Sequence, residues 1–159
     1  MGLIRVVWGT ATAPTAMASY DAALAAANVH NYNLVAVSSV IPANARVEAV
    51  GTAPDLGPAG ERLTVVEARE TVAPGESNLA VAALGWSRES DGPGIFYETT
   101  GTDREDVERR LEAGLDAGRK LREWEFDHDG RRVVDVDADA DAYTTALVLA
   151  VYGDSTPIV

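Results

Sequence analysis

The chain contains no cysteine and only one lysine, and each scarcity excludes a class of chemistry. Without cysteine there is no disulfide, no thiolate nucleophile and no thiolate ligand for a metal. Pyridoxal phosphate is held by a lysine in its enzymes, and Lys120 is the only residue that could hold it here. Because Lys120 stands in a strongly charged stretch, we expect a solvated side chain and no pyridoxal phosphate.

Positive charge and long apolar runs are also scarce. Aspartate and glutamate total 25 against 13 lysines and arginines, so the formal net charge is −12. Such a charge disfavours nucleic acid as a partner and indicates the acidic surface typical of a halophilic cytoplasm. No apolar run approaches the ~20 residues of a membrane helix, and residues 1–8 are too short a run for a signal peptide. We therefore expect a cytoplasmic protein with no membrane partner.

The apolar pattern predicts one α+β domain over residues 1–159, mostly antiparallel sheet with two main helices. A loop should follow the first strand, the strand 33–37 should be buried, and residues 73–76 should form a turn that joins two strands. The predicted strands are 3–8, 33–37, 45–50, 62–72, 78–86, 94–99, 124–126, 132–136 and 143–152.

Two segments predict helices. Residues 17–28 are rich in alanine and contain no glycine or proline, and Thr15 or Ser19 could cap them. Residues 103–123 carry apolar side chains at the helical period, which predicts a helix with one buried face.

A serine pair, Ser38-Ser39, lies inside the mostly apolar run 33–42. A serine hydroxyl can attack the peptide bond before its own residue and convert that amide into an ester. Loss of the Ser39 α-proton then eliminates Ser38 as a carboxylate, and hydrolysis of the dehydroalanine yields ammonia and a pyruvoyl group. Residue 39 would then carry a ketone electrophile for amine chemistry. The plainer interpretation is that the pair only ends a strand.

Two carboxylates are candidate functional groups. Glu98 ends the run Gly94-Ile-Phe-Tyr-Glu98, and a carboxyl group that is partly desolvated by bulky apolar neighbours can deliver a proton. Asp21 lies inside the first predicted helix, where aspartate is mildly unfavourable, and it could face a cationic ligand. Taken alone, each is expected by default to be an ordinary exposed side chain.

The sequence predicts no metal site. His30 and His128 lie far apart and have no ligand spacing between them. The alternating aspartates at 135–141 lack the glycine and the glutamate that a calcium-binding loop requires, so they indicate a solvated strand edge or loop.

Taken together, these segments resemble the pyruvoyl-dependent arginine decarboxylases of archaea and bacteria. The resemblance covers most of the chain and is sharpest around the serine pair. It implies a layered αββα sandwich and self-cleavage into residues 1–38 and 39–159. It also implies arginine as the substrate, with agmatine and CO₂ as products. The other segments that carry it are Tyr20-Asp21-Ala-Ala-Leu24, Pro74-Gly75-Glu76, Gly94-Ile-Phe-Tyr-Glu98, Trp124-Glu125 and the apolar C-terminal strand.

The resemblance also implies roles for particular residues. Ser39 becomes the pyruvoyl group, which is the only cofactor implied, and Glu98 acts as the proton donor. Asn33 assists self-cleavage, and Asp21 meets the guanidinium group of the substrate. Members of the family form trimers with active sites between subunits, so the resemblance implies a homotrimer of cleaved units.

The chain departs from the family pattern at two places. Pro42-Ala43 stands where the family often has two prolines. The loop 9–14 before the first predicted helix lacks the acidic residues expected there. Another amino acid therefore stays open as the substrate.

The spacing of Asn33 and Ser39 bears on assembly. The two are six residues apart, which is about 20 Å in an extended strand at ~3.3 Å per residue. Asn33 cannot reach its own Ser39 unless the strand bends sharply. A neighbouring subunit could supply it instead.

Two other interpretations of the serine pair remain. Ser39 could be freed as the N-terminal nucleophile of a self-processing hydrolase or acyltransferase. Alternatively, the pair could stay uncut in a non-enzymatic trimeric binding protein with the same scaffold. The mass of the purified chain separates these interpretations from pyruvoyl formation.

Overall fold

A computed structural model describes residues 2–159, which fold into two β-sheets and two helices. The elements are β1 (Leu3–Ala13), α1 (Ala16–Ala26), β2 (Asn33–Ala36), β3 (Val40–Ile41), β4 (Arg46–Gly51), β5 (Arg62–Val72), β6 (Leu79–Arg88), β7 (Gly94–Gly101), α2 (Arg104–Lys120), β8 (His128–Asp137) and β9 (Tyr143–Tyr152). None of the helices in this range is both long enough and apolar enough to cross a membrane.

The strands form one sheet of five and one sheet of four. The first has the order β2-β5-β9-β1-β4, and the second has the order β3-β7-β6-β8. Most neighbours are antiparallel, while β1 with β4 and β2 with β5 run parallel. Strand β1 lies inside the first sheet, whereas β2 and β3 are edge strands of different sheets. The predicted α+β class, mostly antiparallel with two main helices, is confirmed.

The two sheets pack face to face, and one helix covers the outer face of each. The core between the sheets includes Val66 and Val148 from the first sheet and Ala82 and Phe96 from the second. Because side chains alternate along a strand, each sheet also presents an apolar outer face to its helix. Helix α1 packs on β1 and β9, and α2 packs on β6 and β7. The layers therefore follow the αββα order that the resemblance implies.

Helix α1 begins after Thr15, one of the two predicted caps. The Thr15 hydroxyl accepts a hydrogen bond from the Ala18 N–H at 3.1 Å. Ser19, the other predicted cap, lies one turn inside the helix and is fully buried. Its hydroxyl is 2.7 Å from the hydroxyl of Thr145 on β9, so it ties the helix to the sheet.

Helix α2 buries one face, as its period predicts. Val107, Leu111 and Leu115 are at most 3% exposed and pack against the second sheet. Asp103 caps the first turn by accepting a hydrogen bond from the Asp106 N–H at 3.2 Å. The helix ends at Lys120, earlier than predicted, because the chain turns there.

Strand β1 is longer than predicted and includes most of the predicted loop. Its pairing with β9 continues to Ala13, which lies opposite Tyr143. Gly9 lies within the strand, opposite Leu147, and the residue is a glycine because α1 approaches closely at this point. A Cβ on Gly9 would lie 2.1 Å from the carbonyl oxygen of Ala23. The glycine marks close packing of a helix on the strand and not a loop.

The predicted turn between two strands is confirmed, whereas the predicted strand 124–126 is wrong. Residues 73–76 form the predicted turn, with a hydrogen bond from the Glu76 N–H to the Ala73 carbonyl at 3.0 Å. The strands that the turn joins, β5 and β6, lie in different sheets and pack face to face. Residues 124–126 form no strand, because the rings of Trp124 and Phe126 pack together beside α2, 5.8 Å apart.

Candidate active site

The serine pair links the edges of the two sheets. Strand β2 ends on one edge of the first sheet, and β3 begins on one edge of the second. Ser38 is exposed and Ser39 is partly buried. The segment 33–37 is mostly exposed as well, which corrects its prediction as a buried strand, because β2 has only one neighbour.

Ser39 has a left-handed backbone conformation, with φ of 49°. Among residues 2–159 the other non-glycine residues with positive φ are Asn28, Asn44 and Asp91. Asparagine and aspartate tolerate this region, whereas serine enters it less readily. Ser39 therefore has a sparsely populated backbone conformation directly after the Ser38–Ser39 peptide bond, and the surrounding contacts hold it in place.

Strands β3 and β7 bring Ser39 and Glu98 together. Val40 pairs with Ile95, and the Phe96 N–H donates a hydrogen bond to the Ser39 carbonyl at 2.8 Å. In this register the Ser39 hydroxyl donates to Glu98 Oε2 at 3.2 Å. Two residues that are 59 positions apart in sequence thus share one direct contact.

Glu98 is exposed in the single chain, so the predicted desolvation is not found there. Strand β3 pairs only with Gly94 and Ile95, and the rest of β7 lies on an open sheet edge. A groove of about 560 Å³ between β7 and α2 adjoins Glu98 and includes Tyr97 and Arg110 in its walls. The side of β7 that carries Glu98 is therefore open to a ligand or to another subunit.

Tyr152 belongs to the same cluster, and the sequence did not predict this. Its hydroxyl donates a hydrogen bond to the Val40 carbonyl at 2.8 Å. Burial, and then the negative charge of Glu98, raises the pKa of Tyr152 to about 12. The only signal in the sequence was its position at the end of the apolar run that forms β9.

Asn33 does not lie with this cluster. Strand β2 stays in a regular parallel ladder with β5 from Asn33 opposite Arg62 to Ala36 opposite Val65. The strand therefore does not bend back towards Ser39. The Asn33 side-chain amide donates instead to the Gly60 carbonyl at 2.7 Å.

Asp21 also lies apart from Ser39. It is exposed on α1, which packs on the outer face of the first sheet. Within residues 2–159 its carboxylate forms no ion pair and no hydrogen bond to another side chain. Of the predicted site residues, the single chain thus brings together Ser38, Ser39 and Glu98, but neither Asn33 nor Asp21.

Lys120 and the alternating aspartates 135–141 are exposed side chains. Lys120 is exposed, as expected, and forms an ion pair with Asp116 at 2.9 Å. Residues 2–159 contain no group of three or more histidine, cysteine, aspartate or glutamate side chains that could hold a metal ion. The aspartates at 135, 137, 139 and 141 are all exposed, as their alternation predicts.

Known proteins are similar to this chain over most of its length. The family model of the pyruvoyl-dependent arginine decarboxylases matches residues 3–157. A protein of that name from Halobacterium salinarum is 52% identical over 160 residues, covering 99% of this chain and 98% of the relative. Relatives of the same name from Thermococcus sibiricus and Pyrococcus abyssi are each 33% identical. They cover 74% and 70% of this chain, and 73% and 70% of their own length. The chain therefore belongs to the pyruvoyl-dependent arginine decarboxylase family.

Proposed function

We propose that this protein cleaves itself between Ser38 and Ser39 and decarboxylates L-arginine to agmatine and CO₂ through a pyruvoyl group made from Ser39. The observation that carries the proposal is the 3.2 Å contact between the Ser39 hydroxyl and Glu98. This contact joins Ser39, the precursor of the pyruvoyl group, to the Glu98 carboxyl group, which can transfer a proton. The names of the relatives support arginine as the substrate.

The backbone of Ser39 favours the first step of self-cleavage. At φ of 49° the Ser39 Cβ lies gauche to the carbonyl carbon of Ser38, whereas a helical φ of about −60° would place it anti. Only the gauche arrangement lets Oγ reach that carbon through a five-membered ring. The Oγ–C bond forms, the C–N bond breaks, and the hydroxyl proton moves to the Ser39 nitrogen. The contact with Glu98 orients the hydroxyl for this attack.

The residues around Ser39 are also suited to a pyruvoyl group at position 39. A pyruvoyl group supplies a ketone that captures the substrate amine and accepts the electrons released as CO₂ leaves. The Phe96 N–H would hold the carbonyl of residue 39 through the hydrogen bond that it already makes. Glu98 would deliver a proton to the former α-carbon of the substrate.

The test begins with the intact mass of the purified protein. Pyruvoyl formation predicts two chains, with the longer one lighter than residues 39–159 by the mass of one ammonia molecule. Simple hydrolysis would leave a serine amine, as in an N-terminal nucleophile hydrolase, and no cleavage would leave one chain. Release of CO₂ should then be measured with arginine, ornithine, lysine and histidine in separate reactions. The proposal fails if the chain stays whole, or if arginine is not decarboxylated.

A second subunit would complete this site. Because β2 is regular, Asn33 lies about 20 Å along the chain from its own Ser39 at ~3.3 Å per residue. Apolar side chains near the serine pair are exposed, since Val35, Val37 and Val40 are 39%, 40% and 47% accessible. An exposed apolar patch beside an unpaired strand edge is typical of a surface that binds protein. We infer a homotrimer in which one subunit provides Ser39 and Glu98, and its neighbour provides Asn33.

Mixed oligomers test this arrangement. Asn33→Ala and Ser39→Ala are each expected to be inactive alone, because each lacks one half of every site. Co-expression should restore activity, since some sites then combine an intact Ser39 with an intact Asn33 from the neighbour. Activity should be measured on oligomers purified through two different affinity tags. Light scattering that shows an active monomer, or mixed oligomers without activity, would contradict the shared site.

Asp21 is proposed to pair with the guanidinium group of arginine in the assembled protein. Asp21→Asn should raise KM for arginine by about tenfold or more with little change in kcat, because a charge-assisted bidentate contact is lost. Initial rates at varied arginine concentration measure this effect. Asp116→Asn is the matched control, since Asp116 is an exposed aspartate of the other helix. An unchanged KM in Asp21→Asn would remove Asp21 from the substrate site.

A further inference from the structure

Tyr152 connects the two sheets at the end where the serine pair lies. It is the last residue of β9 and pairs with Ile4 of β1 in the first sheet. Its ring packs edge-on against the ring of Phe96 from the second sheet, with centroids 6.1 Å apart. This contact places the phenol hydroxyl over β3, where it reaches the Val40 carbonyl at 2.8 Å.

A short ladder, two carbonyl hydrogen bonds and one buried side chain hold the segment that starts at Ser39, because Ile41 is fully buried in the core between the sheets. Strand β3 has two residues, and its ladder partners are Ile95 and Gly94. The carbonyl of Ser39 accepts from the Phe96 N–H, and the carbonyl of Val40 accepts from the Tyr152 hydroxyl. The carbonyls of Ser39 and Val40 are thus fixed by donors from two different sheets.

These contacts matter more once the chain is cut. In the intact chain β2 holds this segment from the other side, whereas cleavage would turn residues 39–41 into a free end. Chain ends fray unless hydrogen bonds or packing hold them. The phenol of Tyr152 is protonated, and therefore able to donate, throughout the neutral range, because even the ordinary pKa of tyrosine, about 10, lies well above it.

We propose that Tyr152 is a positioning residue, whose phenol anchors the new chain end and so holds residue 39 against Glu98. This inference rests on the proposed self-cleavage and adds a residue to the site. Tyr152 acts through the Val40 carbonyl and not on the substrate.

Tyr152→Phe is the direct test, because it keeps the ring and removes only the hydroxyl. Hydrogen exchange of the peptide that covers residues 39–45 should become about tenfold faster, as expected for the loss of one hydrogen bond. The value of kcat should fall about tenfold while KM changes little. Tyr143→Phe is the matched control, since Tyr143 lies at the other end of β9 and its hydroxyl has no hydrogen bond within residues 2–159.

The same substitution in a Ser39→Ala background separates anchoring from ordinary packing. That chain should stay whole, so Tyr152→Phe should change the exchange of residues 39–45 by less than twofold. Equal acceleration in the cut and uncut proteins would overturn the proposal, as would wild-type exchange in the cut variant. Far-ultraviolet circular dichroism verifies that each variant folds, and an unfolded Tyr152→Phe chain would also overturn it. If the wild-type chain is found uncut, the proposed function itself has failed.

Discussion

Replacement of Ser39 by alanine is expected to leave the protein as one chain of 159 residues and to abolish decarboxylation. Without the hydroxyl no ester can form at the Ser38 carbonyl, so no ketone appears at residue 39. Activity should fall by at least about 10⁴-fold, as for the loss of a covalent nucleophile. A denaturing gel and an intact mass measure the cleavage, and release of labelled CO₂ measures the activity.

Ser38→Ala provides the matched control for this experiment. The proposed chemistry uses only the carbonyl of residue 38, and the Ser38 side chain is exposed. The variant should therefore cleave and turn over nearly as the wild type does. A cleaved and active Ser39→Ala protein would refute the origin of the pyruvoyl group.

Replacement of Glu98 by glutamine is expected to separate cleavage from turnover. The glutamine carbonyl can still accept the hydrogen bond from the Ser39 hydroxyl, so the chain should still be cut. Glutamine cannot deliver a proton, and kcat should fall by about 10²- to 10⁴-fold. Intact mass and single-turnover rates at saturating arginine measure the two effects separately.

Glu105→Gln is the corresponding control, because Glu105 is an exposed glutamate in the first turn of α2. It should leave both cleavage and kcat unchanged. Normal turnover by Glu98→Gln would end the assignment of Glu98 as the acid. An uncut Glu98→Gln chain would show instead that the carboxylate is needed to make the group.

Local patterns predicted the elements, and in some cases their bounds. The predicted strands 62–72 and 143–152 coincide with β5 and β9. Strand β9 is a mostly apolar run, whereas β5 mixes apolar and charged residues and is bounded on both sides by segments that contain glycine and proline. The stripe of Val107, Leu111 and Leu115 predicted the buried face of α2. Period and composition report which side of an element is apolar, and that information is local.

Contacts between elements that are distant in the sequence were much harder to predict from the residues alone. The contact between Ser39 and Glu98 depends on the register that places Val40 opposite Ile95, and a strand of two residues has no recognisable period. Tyr152 joins the site because β9 ends beside β3, which belongs to the other sheet. The exposure of Glu98 follows from the short length of β3, so the expectation of a desolvated carboxylate did not hold for the single chain.

The position of β1 has a consequence for how the protein can be denatured and recovered. Residues 1–38 contain β1, which lies between β9 and β4 of the remaining chain. Once the link at Ser38 is cut, the smaller piece would be enclosed by the larger one and could not dissociate without global unfolding. Renaturation would then be a second-order encounter whose yield depends on protein concentration, whereas the uncut precursor folds at a rate independent of it. The lifetime of the mature protein would therefore be governed by its unfolding barrier.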